Sequence, residues 1–362
     1  MNARHLRSLI APAVALTALC GSAFGQTSAS VAAGRLTLTT SNADQNVKVE
    51  VGPAAGTVRL FGFAGLADGA TYSGINAVTV NTGTGRDEVQ FDIQAAASFD
   101  ARANLGTGDA LTKTQWKILA GSASKTAGLT LTSAVGAAHL AEVNFDNESQ
   151  GAAQVNIDTG NATIVSAKVI GDDPSTSLGV NFNCRAPITV LEVVTAAPAL
   201  NVNLRGSYGN LMNEVKYVLN QLVTGTVNVN TDVTLGSGSD KVEGKISTPG
   251  SSNVFRGRTN AGDGDNLVLW EVEGASSVIG QAISSGAGRD FLSIQVKGFY
   301  QMSQTLGARI SSGAGDDFLV LTTDTAIRGT GLPNDIEPVI DGGAGFDLFN
   351  AFGFILNCEG RL

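Results

Sequence analysis

A short glycine phrase returns along this chain at a nearly fixed spacing, and that spacing limits the folds open to it. Gly-x-Gly begins at Gly83, Gly106, Gly236, Gly262, Gly286, Gly313 and Gly343, and the last five copies are separated by 26, 24, 27 and 30 residues. The middle of the chain carries a different phrase: Val155-Asn156-Ile157, Val180-Asn181-Phe182, Val202-Asn203-Leu204 and Val227-Asn228-Val229, at intervals of 25, 22 and 25 residues. Two unrelated phrases kept at one spacing is the mark of stacked coils.

Each coil then holds about 22–30 residues, enough for two or three short strands joined by bends. Runs such as Arg35–Thr40, Asn46–Val51 and Thr226–Leu235 alternate apolar and polar residues with a period of two, as half-buried strands do. Glycine is 45 of 362 residues, which disfavours long helices. Strands that stack on their own equivalents run parallel. The expectation is an all-β, single-stranded parallel β-helix, right-handed as parallel crossovers are. One segment resists: Leu211, Val215, Val218 and Leu222 have helical spacing, which predicts a helix over 209–222, with a strand as the alternative.

Residues 1–25 read as a signal peptide: Arg4 and Arg7, an apolar run from Leu9 to Leu19, then Ala23-Phe24-Gly25. Residues 26–34 are expected as a short linker and 35–362 as the β-helix. The expected location is secreted, extracellular or on the cell surface. The 23 Lys and Arg fall to 21 without Arg4 and Arg7, against 32 Asp and Glu. That acidic balance argues against nucleic acid as partner, and no later stretch is long and apolar enough for a membrane helix. Cys184 and Cys358 are about seven coils apart, over ~30 Å along such a rod. A disulfide needs Cα atoms within ~7 Å, so both are expected as small core residues.

The glycine phrase ends in an aspartate and is followed by apolar residues, so it is a corner between sheets. Stacking would place Asp240, Asp265, Asp290, Asp317 and Asp347 in a column, with Asp87 and Asp109 in an earlier stretch of it. The copies at Asp109 and Asp265 are one residue shorter, so those side chains are expected to aim differently. Charges ~4.8 Å apart repel by about 1 kcal/mol in water and ~3.5 kcal/mol at an effective dielectric of 20. Compensation has two candidate sources. One is backbone N–H groups of the turn, helped by Arg86 and Arg289; the other is a bound hard cation such as calcium.

"GGAGFDLF" from Gly342, "GAGDDFLVL" from Gly313 and "GAGRDFLSI" from Gly286 resemble the Gly-Gly-x-Gly-x-Asp repeats of haemolysin-type (RTX) calcium-binding proteins. The resemblance implies calcium at Asp87, Asp240, Asp265, Asp290, Asp317 and Asp347. This chain departs from the family in repeating the phrase once per 24–30 residues rather than every nine.

Other chemistry is sparse. His139, the one histidine after residue 25, sits among apolar residues and reads as structural. Asp172-Asp173 and Asp316-Asp317 are adjacent carboxylates, which a strand points to opposite faces. No catalytic residue is assigned. Asn156, Asn181, Asn203 and Asn228 are expected as an outward row, either an amide ladder or a sugar-binding face. The expected role is structural or binding, adhesin-like, towards extracellular polysaccharide or another surface component. The alternative is a polysaccharide-active enzyme, for which an outward groove with acids and Lys241, Lys297, Arg309 or Arg328 would be the sign.

Overall fold

The computed structural model describes residues 26–361 apart from 55, 135–137, 172–174, 298–306, 324–337 and 352–353. The signal-peptide segment, Asp172-Asp173 and Arg328 therefore lie outside the described residues. Every regular element described is a strand, and the strands form two parallel stacks. One stack climbs from Arg35–Thr39 through Ala77–Asn81, Phe99–Asn104, Lys125–Thr132, Ala152–Asp158, Ser177–Cys184, Ala199–Ser207 and Thr226–Thr234. The other climbs from Gln45–Val51 through Asp87–Ala95, Ala110–Ile118, His139–Asn147, Ile164–Gly171, Ile188–Thr195 and Glu214–Gln221. Lys241–Asn260 and Leu267–Ser284 each run through both stacks, with a register shift between Thr248 and Ser252 where the chain bends. Each coil thus gives one strand to each stack, and the fold is a parallel β-solenoid.

Alternation drives the assembly. Val155, Val180, Val202 and Val229 lie in one inward column and are buried. The facing column runs Leu191, Tyr217, Gly244, Trp270 and Ile294. Gly244 is needed there: a Cβ on it would enter the Trp270 ring. In the gap, the Tyr217 and Trp270 rings stack across the intervening coil, with centroids 6.1 Å apart.

Three expectations are corrected. The segment over 209–222 is not a helix: Glu214–Gln221 is a strand whose Val215, Tyr217 and Leu219 point inward. Leu211 and Leu222, which completed the helical spacing, lie exposed on the two corners flanking it. The register of the Asn phrases also shifts by two. Val202 pairs with Val229, so Asn228 aligns with Asn201, and Asn203 continues to Asn230. Finally, the expected linker contains a strand, Ser28–Ala32, which pairs antiparallel with Arg35–Thr39. The hairpin of Val58–Phe61 and Ala70–Tyr72 extends Gln45–Val51 nearby, also antiparallel.

Seven pairings separate the strand ending at Cys184 from the one preceding Cys358. Both thiols are free; Cys184 is buried, whereas Cys358 is only half-buried.

Candidate functional site

The corner leading into the second stack repeats one position in every coil. Strand register places there Gln45, Asp87, Ala110, His139, Thr163, Pro187, Asn213, Asp240, Asn266, Asp290, Asp317, Asp347 and Glu359. The column joins Asp87, Asp240, Asp290, Asp317 and Asp347, as expected. It excludes Asp265 and Asp109, because their corners are a residue shorter and Asn266 and Ala110 take the position. Asp265 instead faces outward, accepts the Arg289 N–H at 2.9 Å and pairs with its guanidinium at 3.5 Å. Arg86 likewise reaches Asp109, at 3.8 Å. Both arginines serve outer acids rather than the column.

A single hydrogen-bond rule links the column. The backbone N–H at the corner position donates to the side-chain oxygen of the same position one coil later. Asn213 donates to Asp240 (2.8 Å), Asp240 to Asn266 (3.1 Å) and Asn266 to Asp290 (2.9 Å). Asp290 donates to Asp317 (2.8 Å), Asp317 to Asp347 (2.9 Å) and Asp347 to Glu359 (2.8 Å). The same bond joins Gln45 to Asp87 at 3.2 Å and His139 to Thr163 at 3.1 Å. Pro187 has no N–H to give, and the Oδ1 of Asn213 one coil later is accordingly without a partner. The backbone donors expected for the carboxylates are present, but they come from the neighbouring coil.

These carboxylates are deeply enclosed: Asp240, Asp290 and Asp317 are 2% exposed and Asp347 0%. Burial pushes the carboxyls of Asp87, Asp240, Asp290 and Asp347 above the ordinary aspartate range, against the downward pull of their hydrogen bonds. His139 is 1% exposed, its Nε2 lies 2.9 Å from Thr112 Oγ1, and burial lowers its pKa to about 4, so the ring is neutral.

Calcium requires six to eight oxygen ligands around one point. The column supplies one carboxylate per coil, each with Oδ1 already bound to a backbone N–H. Among the described residues no three acidic, His or Cys side chains converge on a common point. Asn213 and Asn266, which carboxylate-seeking motifs pass over, place amide hydrogens into the same corner. The donor set does not fit a shared calcium cage.

The outer face of the first stack carries the amide ladder. Asn181 donates to Asn156 and Asn203 to Asn181, both at 2.7 Å; Asn230 donates to Asn203 at 3.0 Å, and Asn228 to Asn201 at 2.9 Å. The amides are engaged with one another, as register-keeping side chains are. Arg309 lies on this stack rather than on the second one.

The second stack has a groove of about 310 Å³ running across its coils. Lys216, Glu243 and Leu269 form one wall and Val218, Lys245 and Glu271 the other, with Tyr217, Gly244 and Trp270 between them. Glu271 pairs with Lys297 at 2.7 Å and Lys245 at 3.2 Å; Glu243 pairs with Lys241 at 3.1 Å. Those lysines hold the Glu271 carboxyl below its usual range, and Glu243 holds the Lys241 amine above its own. Among the described residues, Lys216 has no carboxylate within ion-pair distance. Sequence reasoning named Lys241 and Lys297 but missed the groove, because its walls come from residues ~26 apart. No known protein family, curated protein or solved structure matches this chain.

Proposed function

We propose that this chain is an exported structural and binding rod, adhesin-like in role, whose second stack receives an acidic extracellular polysaccharide. The groove carries this reading. It crosses successive coils, so a polymer lying in it meets a repeating wall of charge and apolar surface. Lys216 and Lys245 supply cations suited to anionic sugars, and Leu269 and Val218 supply apolar contact for a ring face. The groove's two glutamates balance its two lysines, so an anionic ligand is held chiefly at Lys216, the cation that no carboxylate among the described residues engages. The ion pairs weigh against Glu271 as a general acid, since that role needs a raised carboxyl. Glu271 is held the other way by Lys297 and Lys245.

The test is a panel of neutral and acidic polysaccharides. Retention of acidic members, weakened at high salt and lost in the Lys216→Glu, Leu269→Glu double variant, is the expected result. No binding to any member, or binding untouched by the double substitution, would remove the proposal. Polysaccharide-active chemistry is the second reading, favoured by Glu243 and Glu271 standing on adjacent coils. New reducing ends or unsaturated products from any retained polymer would establish it instead.

A further inference from the structure

Asn266 shows what the corner column requires. Its Oδ1 accepts the N–H of Asp240, while its Nδ2 donates to the carbonyls of Gly262 (3.2 Å) and Gly264 (2.8 Å) in its own turn and to Asp290 Oδ1 (2.9 Å) in the next coil. Asn213 repeats the arrangement, donating to Gly209, Leu211 and Asp240 Oδ1 at 3.1, 2.7 and 2.8 Å. Gln45 reaches Ala43 O at 2.9 Å in the same way. At these positions the corner is lined by acceptors, and the side chain brings the hydrogen.

Asp290, Asp317 and Asp347 accept the preceding coil's N–H through Oδ1 just as Asn266 does. A planar carboxyl anchored in that bond puts Oδ2 where Asn266 has Nδ2. In Asn266 that place faces the carbonyls of Gly262 and Gly264 and the Oδ1 of Asp290. The Oδ2 atoms of Asp240, Asp290, Asp317 and Asp347 are all buried and without a partner. An ionised oxygen among acceptors is the costliest arrangement a buried group can have.

We propose that Asp240, Asp290 and Asp347 are carried in the folded rod as neutral carboxylic acids, each Oδ2–H donating where Asn213 and Asn266 donate an amide N–H. The column is thus a proton-loaded ladder that responds to pH, and its corner is built for hydrogen rather than for calcium. The charged groups around it reinforce this. Asp290 faces Asp317 and also the Ser285 hydroxyl, whose pull favours the ionised form but is outweighed by burial; Asp347 faces Asp317, Asp316 and Glu359, with the Cys358 thiol alongside; Asp240 faces only amides. Among the described residues no lysine or arginine pairs with any of the three, and Arg289 is turned outward to Asp265.

The sign follows from proton linkage. A carboxyl raised in the folded state binds more protons there than in the unfolded chain. Its stabilisation is fully present below the unfolded value near 3.9 and is lost as pH rises from there through the folded one. Thermal unfolding of the purified protein across that range, with calcium and with chelator, tests the proposal alongside infrared spectra of its carboxyl bands. Compared with an acid-to-amide variant, the wild type is expected to lose stability as pH rises, to show a protonated-carboxyl band, and to ignore calcium. Asp240→Asn, Asp290→Asn and Asp347→Asn combined should flatten that slope, diminish the band and melt no lower than wild type at neutral pH. If the triple variant does not fold, Asn266→Asp serves: it should steepen the slope by adding an acid. A calcium-dependent rise in wild-type melting, an absent band, or an unchanged slope in the variants would overturn the proposal. None of these results depends on whether the groove binds polysaccharide.

Discussion

The corner position is one place in the coil filled with two chemistries. From Asn213 to Glu359 it holds only amides and acids, and every one after Asn213 takes a neighbouring coil's N–H. From Ala110 to Pro187 it holds Ala, His, Thr and Pro, and only Thr163 takes such a bond. The corners differ in length to match. The corners before Asp240, Asn266, Asp290, Asp317 and Asp347 turn through Gly-x-Gly, whereas Cys184 and Ile188 are joined by Arg185, Ala186 and Pro187 alone. A wide glycine turn exposes carbonyls and an inward N–H, and a polar side chain must fill it. A tight turn leaves no such hole, and proline removes the N–H outright. The amides and acids from Asp240 to Asp347 thus go with wide glycine corners, but size is not the whole cause: Ala110 follows an equally wide corner, and Glu359 takes its N–H at a corner of three residues.

The sharpest way to break that contrast is at the second glycine of a late corner. Gly315 has φ +148°, and a Cβ there would strike the carbonyl of Gly288 in the coil below. Gly315→Ala should cost at least about 3 kcal/mol, since backbone cannot yield as a side-chain tip does. The middle corner already carries Ala162 without strain, so Ala162→Gly should cost only about 1 kcal/mol. Because a solenoid unfolds in neighbouring units, hydrogen exchange should show the Gly315→Ala loss confined to the late coils. Equal losses from both exchanges would end the claim that corner size separates the two regions.

Next in size is an opposed response to pH. His139 occupies the early column with a pKa lowered from 6.5 to about 4 by burial. Its folded form rejects a proton that the unfolded chain accepts. Stability is thus full above pH 6.5 and is lost as pH falls towards 4, by up to about 3 kcal/mol. The late acids run the other way. Hydrogen exchange across that interval should show amides of Ala110–Ile118 and His139–Asn147 losing protection on acidification while those of Phe291–Lys297 gain it. His139→Gln should remove the first effect and leave the second. Parallel behaviour in both regions would mean that the two columns do not titrate independently.

The solenoid was legible in the sequence because its two signals, coil spacing and period-two alternation, both survive any change of residue within a class. What failed has a common cause. The Val-Asn-Val-Asn runs look the same after a shift of two, so Val227 and Val229 compete for one register, and only the corner length decides between them. Leu211 and Leu222 mimic a helix because corner residues can be apolar without being inside. At the column, the aspartates were legible through their phrase, and even Asp265 betrayed itself by a missing residue. Asn213 and Asn266 were not, because a search for charge overlooks amides, although each directly precedes the first outward residue of its strand. The groove had no signature at all, since Lys216, Glu243 and Glu271 become neighbours only through stacking.

The smallest effect is expected where the two chemistries meet. Pro187 ends the early series and leaves Asn213 Oδ1 unpaired. Pro187→Ala restores an N–H aimed at that oxygen, a bond worth about 1 kcal/mol. The same exchange frees the unfolded chain, which costs about 0.4–1 kcal/mol. The two nearly cancel, so melting should barely move, while exchange of the amide introduced at position 187 should be slow. A fast-exchanging amide would mean that Asn213 does not accept it, and that the one-coil hydrogen-bond rule stops at Asn213 for a reason other than the missing proline hydrogen. A large loss of stability would instead show that the tight corner needs the fixed φ of proline, making the early corners specialised rather than merely short.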